Sequence, residues 1–317
     1  MHRAKILITS ANAKLPLLTA IRDQLVLRYG EATVVAGDAN PQCLASELWS
    51  EFVELPPLDE VGAESFVGML VDFGITHIIP TRDGDVEWFA IHKDLFQAAG
   101  VSCLVPATDS VVACRDKLLF SQRLNTEGIR VVETREEPSW SHHMVVKERY
   151  GSGSLGMALN VNQREAESAA RPLKTPVFQP FIPGPEISID VYRAPTGETR
   201  GMVARSRDLV VHGESKITTT TNPEPYESLV NQVLTTLQIT GHALIQVINS
   251  GDGPVVLECN PRLGGASTLA MAAGLWTILW FIRDSAGEPV DDLPFQQAEW
   301  PLRLIRVPQD VIYDPRL

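Results

Sequence analysis

Residues 255–267 read VVLECNPRLGGAS. An apolar run leads directly into Glu258, Asn260 and Arg262, spaced two residues apart. Side chains alternate faces along an extended chain, so these three share one side while Leu257, Cys259 and Pro261 take the other. That side offers two hard oxygen donors beside a guanidinium. Pro261 lacks an N–H, which suits a strand leaving its sheet. Upstream, GHALIQVIN carries Gln246 near the end of another strand-like run, and the turn SGDGP separates the two. Antiparallel pairing would bring Gln246, Glu258 and Asn260 to one cation. Oxygen-only ligands select magnesium, or manganese, over zinc, and magnesium commonly keeps phosphate oxygens as further ligands. An exposed strand end of ordinary polar residues accounts for the 255–267 stretch, taken alone, about as well.

Two further stretches bear on phosphate chemistry. In VVKERYGSGSLG a strand-like run delivers Lys147, followed closely by Gly151, Ser152, Gly153 and Ser154. Glycine lets backbone N–H groups approach phosphate oxygens, and serine adds donors. The Walker pattern is absent, and a plain hairpin with an incidental lysine also fits. In FQPFIPGPEISID an apolar strand ends at Pro183-Gly184, and Glu186 opens the next strand. The free backbone of such a strand end can hold a purine edge, and the carboxylate can accept from ribose hydroxyls. A solvated hairpin is the competing reading.

Elements that would position these residues are legible along the chain. KILIT (5–9), ATVVAG (32–37), HIIPT (77–81) and VSCLVP (101–106) are short and β-branched, with helical spacing over 14–29, 59–73 and 85–99. That rhythm predicts a parallel sheet flanked by helices. Its first turn, TSANAK, has no glycine, which disfavours a dinucleotide fingerprint. A helix over 109–128 is expected, N-capped at Thr108 or Asp109 and stopped by Gly128, then a strand over 143–150 and a short helix over 163–170. Strands EISIDVYR, TRGMVARSR, ALIQVINS and GPVVLECNPR predict a largely antiparallel sheet, with helices at 226–238 and 268–286 and a last strand in WPLRLIRVP. The domain division expected is 1–106, 107–175 and 176–317.

At 317 residues, with 44% hydrophobic and 21% charged residues, the chain can build several cores. A net charge of -12 argues against a nucleic-acid surface, so an anionic ligand needs a local basic pocket. Cys43, Cys103, Cys114 and Cys259 are scattered, as in a protein of a reducing cytoplasm. The greasy segment 269–282 is too short to cross a bilayer, so no membrane association is expected.

The order of Lys117 in RDKLLFSQRL, Lys147 before GSGSLG, QPFIPGPEISID and LECNPRLGGAS resembles the ATP-grasp superfamily, most closely its carbamoyl-phosphate-synthetase-like branch of carboxylate–amine ligases. KILITSANAKLPLLTAI and PTRDGDVEWFA are similar to that branch's pre-ATP-grasp domain. The resemblance implies a Rossmann-like pre-ATP-grasp domain, α/β in class, followed by a two-lobed α+β ATP-grasp domain. It implies that Lys117 and Lys147 contact the phosphates of ATP, with Lys147 also near the adenine. Backbone at Gln179, Phe181 and Ile182 would hold the adenine edge and Glu186 the ribose. Gln246, Glu258 and Asn260 would bind Mg2+ (or Mn2+), Arg262 would steady the transferring phosphate, and Gly151–Gly156 would form a lid. Glu148 and Arg149 depart from the proline common in relatives and put a carboxylate near the phosphates. Arg205, Arg207, His212 and Lys216 match substrate-facing positions only loosely.

The reaction implied joins a small carboxylate to an amine through an acyl phosphate. A carboxylate attacking a γ-phosphoryl group meets repulsion of roughly 4–5 kcal/mol per charge pair at contact and an effective dielectric near 20, so clustered cations are required. An ATP-binding regulatory protein without ligation is the alternative, and a bicarbonate-activating carboxylase is a third reading. The partners expected are small-molecule carboxylate and amine substrates, with room for a homo-oligomer.

Overall fold

The computed structural model describes residues 4–138, 143–151, 156–299 and 301–312. The N-terminal part alternates strands and helices: β1 (Lys5–Ile8), α1 (Leu15–Tyr29), β2 (Thr33–Asp38), α2 (Leu44–Leu48), β3 (Phe52–Glu54), α3 (Ala63–Asp72), β4 (His77–Ile79), α4 (Asp83–Ile91), α5 (Lys93–Ala98) and β5 (Ser102–Cys103). Its strands are all parallel, in the order β3-β2-β1-β4-β5. The run Ile6-Leu7-Ile8 is apolar throughout because both faces are covered. Ile6 and Ile8 pack with α1, whereas Leu7 joins Phe66, Phe89 and Phe96 opposite. The helix expected over 85–99 is two, broken at His92, whose ring Nδ1 meets the Trp88 carbonyl at 2.8 Å.

Next come α6 (Thr108–Arg115) and α7 (Lys117–Thr126), where the sequence suggests one helix. The division falls at Asp116, whose Oδ1 accepts from the N–H groups of Leu118 and Leu119 at 3.0 and 3.1 Å. The side-chain cap is therefore Asp116 rather than Thr108 or Asp109, and α6 starts without one. A small antiparallel sheet, in the order β7-β6-β8, is built from β6 (Met144–Glu148), β7 (Ala158–Val161) and β8 (Pro176–Pro180), with α8 (Gln163–Ala170) packed on it.

The large sheet has the order β13-β12-β9-β10-β11-β14, all antiparallel. Its strands are β9 (Glu186–Arg193), β10 (Thr199–Val211), β11 (Glu214–Thr221), β12 (Gly241–Ser250), β13 (Gly253–Asn260) and β14 (Arg303–Ile305). One face is apolar: Ile187, Ile189 and Val191 meet Ala243, Ile245, Val247, α9 (Glu227–Thr236) and α7. The other face carries Glu186, Ser188, Asp190, Arg205, Arg207, Gln246, Glu258 and Asn260 at the alternate positions. The alternation in EISID therefore divides core from polar cleft.

α10 (Ser267–Ala272) and α11 (Thr277–Ala286) replace the single helix suggested by 268–286. They pack on α1 with Leu17, Leu18, Ile21, Met271, Leu275 and Ile278 in one core, so the N-terminal sheet is fused to the C-terminal lobe. Gly274 separates them with φ 101°, and a Cβ there would lie 2.3 Å from the Gln296 carbonyl oxygen. Among the described residues no helix is long and apolar enough to cross a membrane, and all four cysteines are free thiols.

Gly274→Ala forces both a disfavoured backbone and a clash, a loss of order 1–3 kcal/mol. Gly68→Ala, in the exposed interior of α3 where an added Cβ meets nothing within 4 Å, gains about 0.5–1 kcal/mol. Denaturant midpoints of the two variants should move in opposite directions; equal shifts contradict the packing described at Gly274.

Candidate active site

The polar face of the large sheet meets the small sheet across a cleft, and most of the sequence-derived candidates gather there. Gln246 on β12 stands opposite Glu258 on β13, and Leu244 opposite Asn260. The Asn260 Nδ2 donates to Glu258 Oε1 at 2.9 Å, which leaves the Asn260 carbonyl oxygen uncommitted. With its amide oriented by its neighbours, Gln246 donates to Glu258 and accepts from Arg207. Glu258 and Asn260 thus present free oxygens side by side, while the Gln246 oxygen is taken by a guanidinium. Among the described residues no three His, Cys, Asp or Glu side chains are gathered as a metal site. An ion held by the 246/258/260 set would meet one carboxylate and amide oxygens.

The ladder slips by one residue here: Gln246 faces Glu258 but Val247 faces Val256. This bulge corrects the simple alternation expected at Leu257. Leu257 is not opposite Glu258 but packs with Ile182, Ile248, Val132 and Val255, an apolar floor beside the cleft. Cys259 does face the core. The strand ends at Asn260, so Arg262 is not positioned by alternation either. The Arg262 Nε donates to Asp83 at the start of α4, which ties the end of β13 to the N-terminal sheet.

Lys147 on β6 is almost wholly buried. Burial lowers its pKa to about 8, Glu258 and Glu186 pull it upward, and Lys117 pushes it down. Those couplings put two ammonium groups and the Glu258 carboxylate together. The Lys117 ammonium is also lowered, chiefly by burial, with Glu258, Asp83, Asp116 and Glu148 opposing. Its Nζ donates to the carbonyls of Gly151 at 2.6 Å and Arg149 at 3.3 Å. Asp116 grips Arg149 through two hydrogen bonds, at 2.7 and 2.6 Å, so the root of the glycine-rich segment is fastened to α7. Ser152, Gly153 and Ser154 lie outside the described residues. Glu148 turns away: its oxygens accept from the N–H groups of Lys174 and Thr175.

At the end of β8, the Gln179 side chain donates to Thr134 Oγ1 at 2.8 Å, and the Phe181 N–H is spent on the His143 carbonyl at 2.9 Å. The Ile182 N–H has no partner among the described residues. Gly184 fits against Asn249 so closely that a Cβ would lie 2.2 Å from its carbonyl oxygen, which pins this turn to β12. Glu186 Oε2 is paired with Arg207 Nη1 at 2.7 Å.

Several contributors had no clear sequence signal. Arg205, Asp190 and His242 form a buried network with Ser267, which also accepts from the Gly264 N–H at 2.7 Å and so fixes the turn after Arg262. Lys14, after β1, has its pKa lowered by burial first and then by Arg262 and Arg306, with Glu214 and Asp83 opposing. Three cations from three distant segments therefore meet at one end of the cleft. Only the folded chain brings them together. Lys216 pairs with Glu214, which also faces Lys14 and Arg306, whereas His212 is exposed in the β10–β11 turn.

Residues 173–306 match the family described as ATP-grasp in the biosynthetic pathway with Ter operon. No curated protein matches the sequence. Among solved structures, the biotin carboxylase domain of Hydrogenobacter thermophilus 2-oxoglutarate carboxylase, a dimer with MgADP, ADP and bicarbonate, is 18% identical with a TM-score of 0.72, covering 93% of this chain and 73% of that one. Staphylococcus aureus N5-carboxyaminoimidazole synthetase complexed with ADP is 14% identical with a TM-score of 0.69, over 90% and 78% of the two chains. Bacillus licheniformis L-amino acid ligase is 20% identical with a TM-score of 0.64, over 84% and 69%. Residues 173–306 thus match an ATP-grasp family, and the chain as a whole shares the fold of these solved structures.

Proposed function

We propose that the protein is an ATP- and Mg2+-dependent ligase that joins a small carboxylate to an amine through an acyl phosphate. The observation that carries this reading is the meeting of Glu258 and Asn260 oxygens with the buried ammonium of Lys147 and the half-buried ammonium of Lys117 in one cleft. The donor set fits a hard divalent cation: every donor is oxygen, and a single carboxylate leaves charge to be supplied by phosphates. A divalent ion bound there neutralises the polyphosphate and acts as a Lewis acid on it. Gln246 joins the set when its oxygen leaves Arg207.

In this reading the Ile182 N–H and the Phe181 carbonyl receive the purine edge over the floor of Ile248, Leu257 and Val255. Glu186 receives the ribose, in exchange for its pairing with Arg207. Lys117 and Lys147 bind the phosphates, with the segment from Gly151 onward as lid. Arg262, Lys14 and Arg306 face the transferring group and the carboxylate. A carboxylate oxygen attacks the γ-phosphorus, and ADP leaves with the electron pair of the broken P–O bond. The amine nitrogen then attacks the acyl carbon; the C–O bond to phosphate breaks, inorganic phosphate departs, and the nitrogen loses a proton. Clustered cations offset the repulsion between carboxylate and γ-phosphate.

ADP release should require Mg2+ and a carboxylate from a pool of small acids and amino acids. Glu258→Ala should abolish it without loss of the folded state by circular dichroism; full turnover in this variant contradicts the metal assignment. Arg262→Ala should keep nucleotide affinity within a few-fold and depress turnover by about 10²-fold, as for a lost electrostatic stabiliser. Unchanged turnover contradicts the role given to Arg262.

Lys147 also fixes a pH dependence. Below pH about 8 its charge is buried at a cost; between about 8 and the ordinary lysine value of 10.5 the unfolded chain binds a proton that the folded one does not. The nucleotide-free protein should therefore gain stability across that window, by about 3 kcal/mol. Urea midpoints of wild type and Lys147→Met compared from pH 7 to 10 isolate this gain. Parallel curves contradict the buried environment of Lys147.

A further inference from the structure

A crevice of about 350 Å³ opens at the C-terminal edge of the N-terminal parallel sheet. The strand order reverses between β1 and β4, and the loops after both strands form its walls, the place where open parallel sheets accept ligands. Asp85 in the first turn of α4 is 6% exposed and lines the crevice. Its Oδ2 accepts from Thr9 Oγ1 and Ser10 Oγ, each at 2.7 Å. Its Oδ1 meets no donor and the carboxylate no cation among the described residues. A buried carboxylate without a counter-charge is costly, and buried charges are as a rule paired.

The rest of the lining divides by chemistry. Asp38 is already satisfied, accepting from the N–H groups of Asn12 and Asn40, each at 3.0 Å. Arg82 is exposed and pairs with no carboxylate among the described residues. Leu55, Leu58 and Trp88 supply an apolar wall. Asp59, exposed, also lines the crevice. One unpaired buried anion, one unpaired guanidinium and an apolar wall complement an ammonium, a carboxylate and an apolar side chain on one small molecule.

We propose that this crevice binds a free α-amino acid with an apolar side chain, as a ligand held apart from the candidate active site: its ammonium on Asp85, its carboxylate on Arg82, its side chain against Trp88 and Leu58. The crevice and the candidate active site share two walls. Asp83 points to Arg262 while Asp85, two residues on, lines the crevice; Ser10 lines it while Lys14 sits by Arg262. Residues two apart on a helix face away from each other, so the first turn of α4 stands between the two sites.

The test is calorimetric titration of the full chain, without nucleotide, with L-leucine, L-phenylalanine, L-methionine, N-acetyl-L-leucine and L-leucinamide. At least one apolar amino acid should bind, its N-acetyl form at least tenfold more weakly, and Arg82→Ala should weaken the amino acid but not the amide. Asp85→Asn keeps an acceptor for Thr9 and Ser10 yet removes the charge, and should lower affinity at least tenfold. Gly84→Leu should block the crevice without unfolding, because a Cβ at this helical position meets nothing within 4 Å and the side chain projects from a glycine that lines the crevice. No binding by any amino acid, or equal binding by wild type and both of these variants, overturns the proposal. ADP release measured in parallel separates the two readings. ADP release unchanged in Asp85→Asn and Gly84→Leu while amino-acid binding is lost in both supports the crevice as a site apart from the ligase chemistry, whereas binding unchanged in both sinks the crevice but not the ligase. Binding lost in both variants, with no ADP release from any acid and amine pair, supports the crevice and sinks the ligase.

Discussion

One carboxylate, Glu258, faces more positive charge than it can neutralise. Lys147 and Lys117 couple to it, and Arg207 reaches the same group through Gln246. In a chain of net charge -12 this is a local inversion of sign, built in a region where Lys147 has little access to water. Burial strengthens each attraction and also raises the cost of each excess cation. Such a cluster is under-neutralised by its own protein and is completed by a polyanion. The polyphosphate of a nucleotide satisfies the ammonium groups, and a divalent ion reconciles it with Glu258.

The large sheet makes this arrangement possible by having two unlike faces. Ile187, Ile189, Val191, Ile245 and Val247 anchor one face on helices, so the alternate positions can carry charge without loss of the core. The polar face is itself braced below the cleft, where Asp190 holds Arg205 and Ser267 out of solvent, with His242 Nε2 at 3.3 Å. Within this network the Asp190 carboxyl is held down to about 2: burial raises it, but Arg205, His242 and Ser267 outweigh burial. Buried ion pairs and hydrogen bonds rigidify what they touch. Here they touch the turn that carries Arg262.

Much of the fold was legible because its signals are local. Short β-branched runs with helical spacing between them gave the parallel sheet, and the alternation in EISID gave a strand with one polar face. What escaped depended on single residues or on distant partners. β3 is three residues long, too short for a period to register. Asp116 breaks a helix whose apolar spacing runs straight through it, and Gly274 breaks another because Gln296, far along the chain, approaches its backbone. At the site, Gln246, Glu258 and Asn260 were brought together as their strand spacing suggested. The bulge at Leu257, the Arg207 contact with Gln246, and the arrival of Lys14 and Arg306 beside Arg262 depend on tertiary structure and leave no mark on local pattern. The elements also cross along the chain: β8 joins the small sheet, and α7 packs in the core of the large one.

The central claim is that the crowded cations and Glu258 form one polyphosphate site. A crystal of the protein soaked with Mg2+ and a nonhydrolysable ATP analogue tests it directly. The account requires the β- and γ-phosphates between Lys117 and Lys147, and one ion within about 2.0–2.1 Å of oxygens from Glu258, Asn260 and the phosphates. Phosphates lodged elsewhere, or an ion with no bond to Glu258, would contradict it.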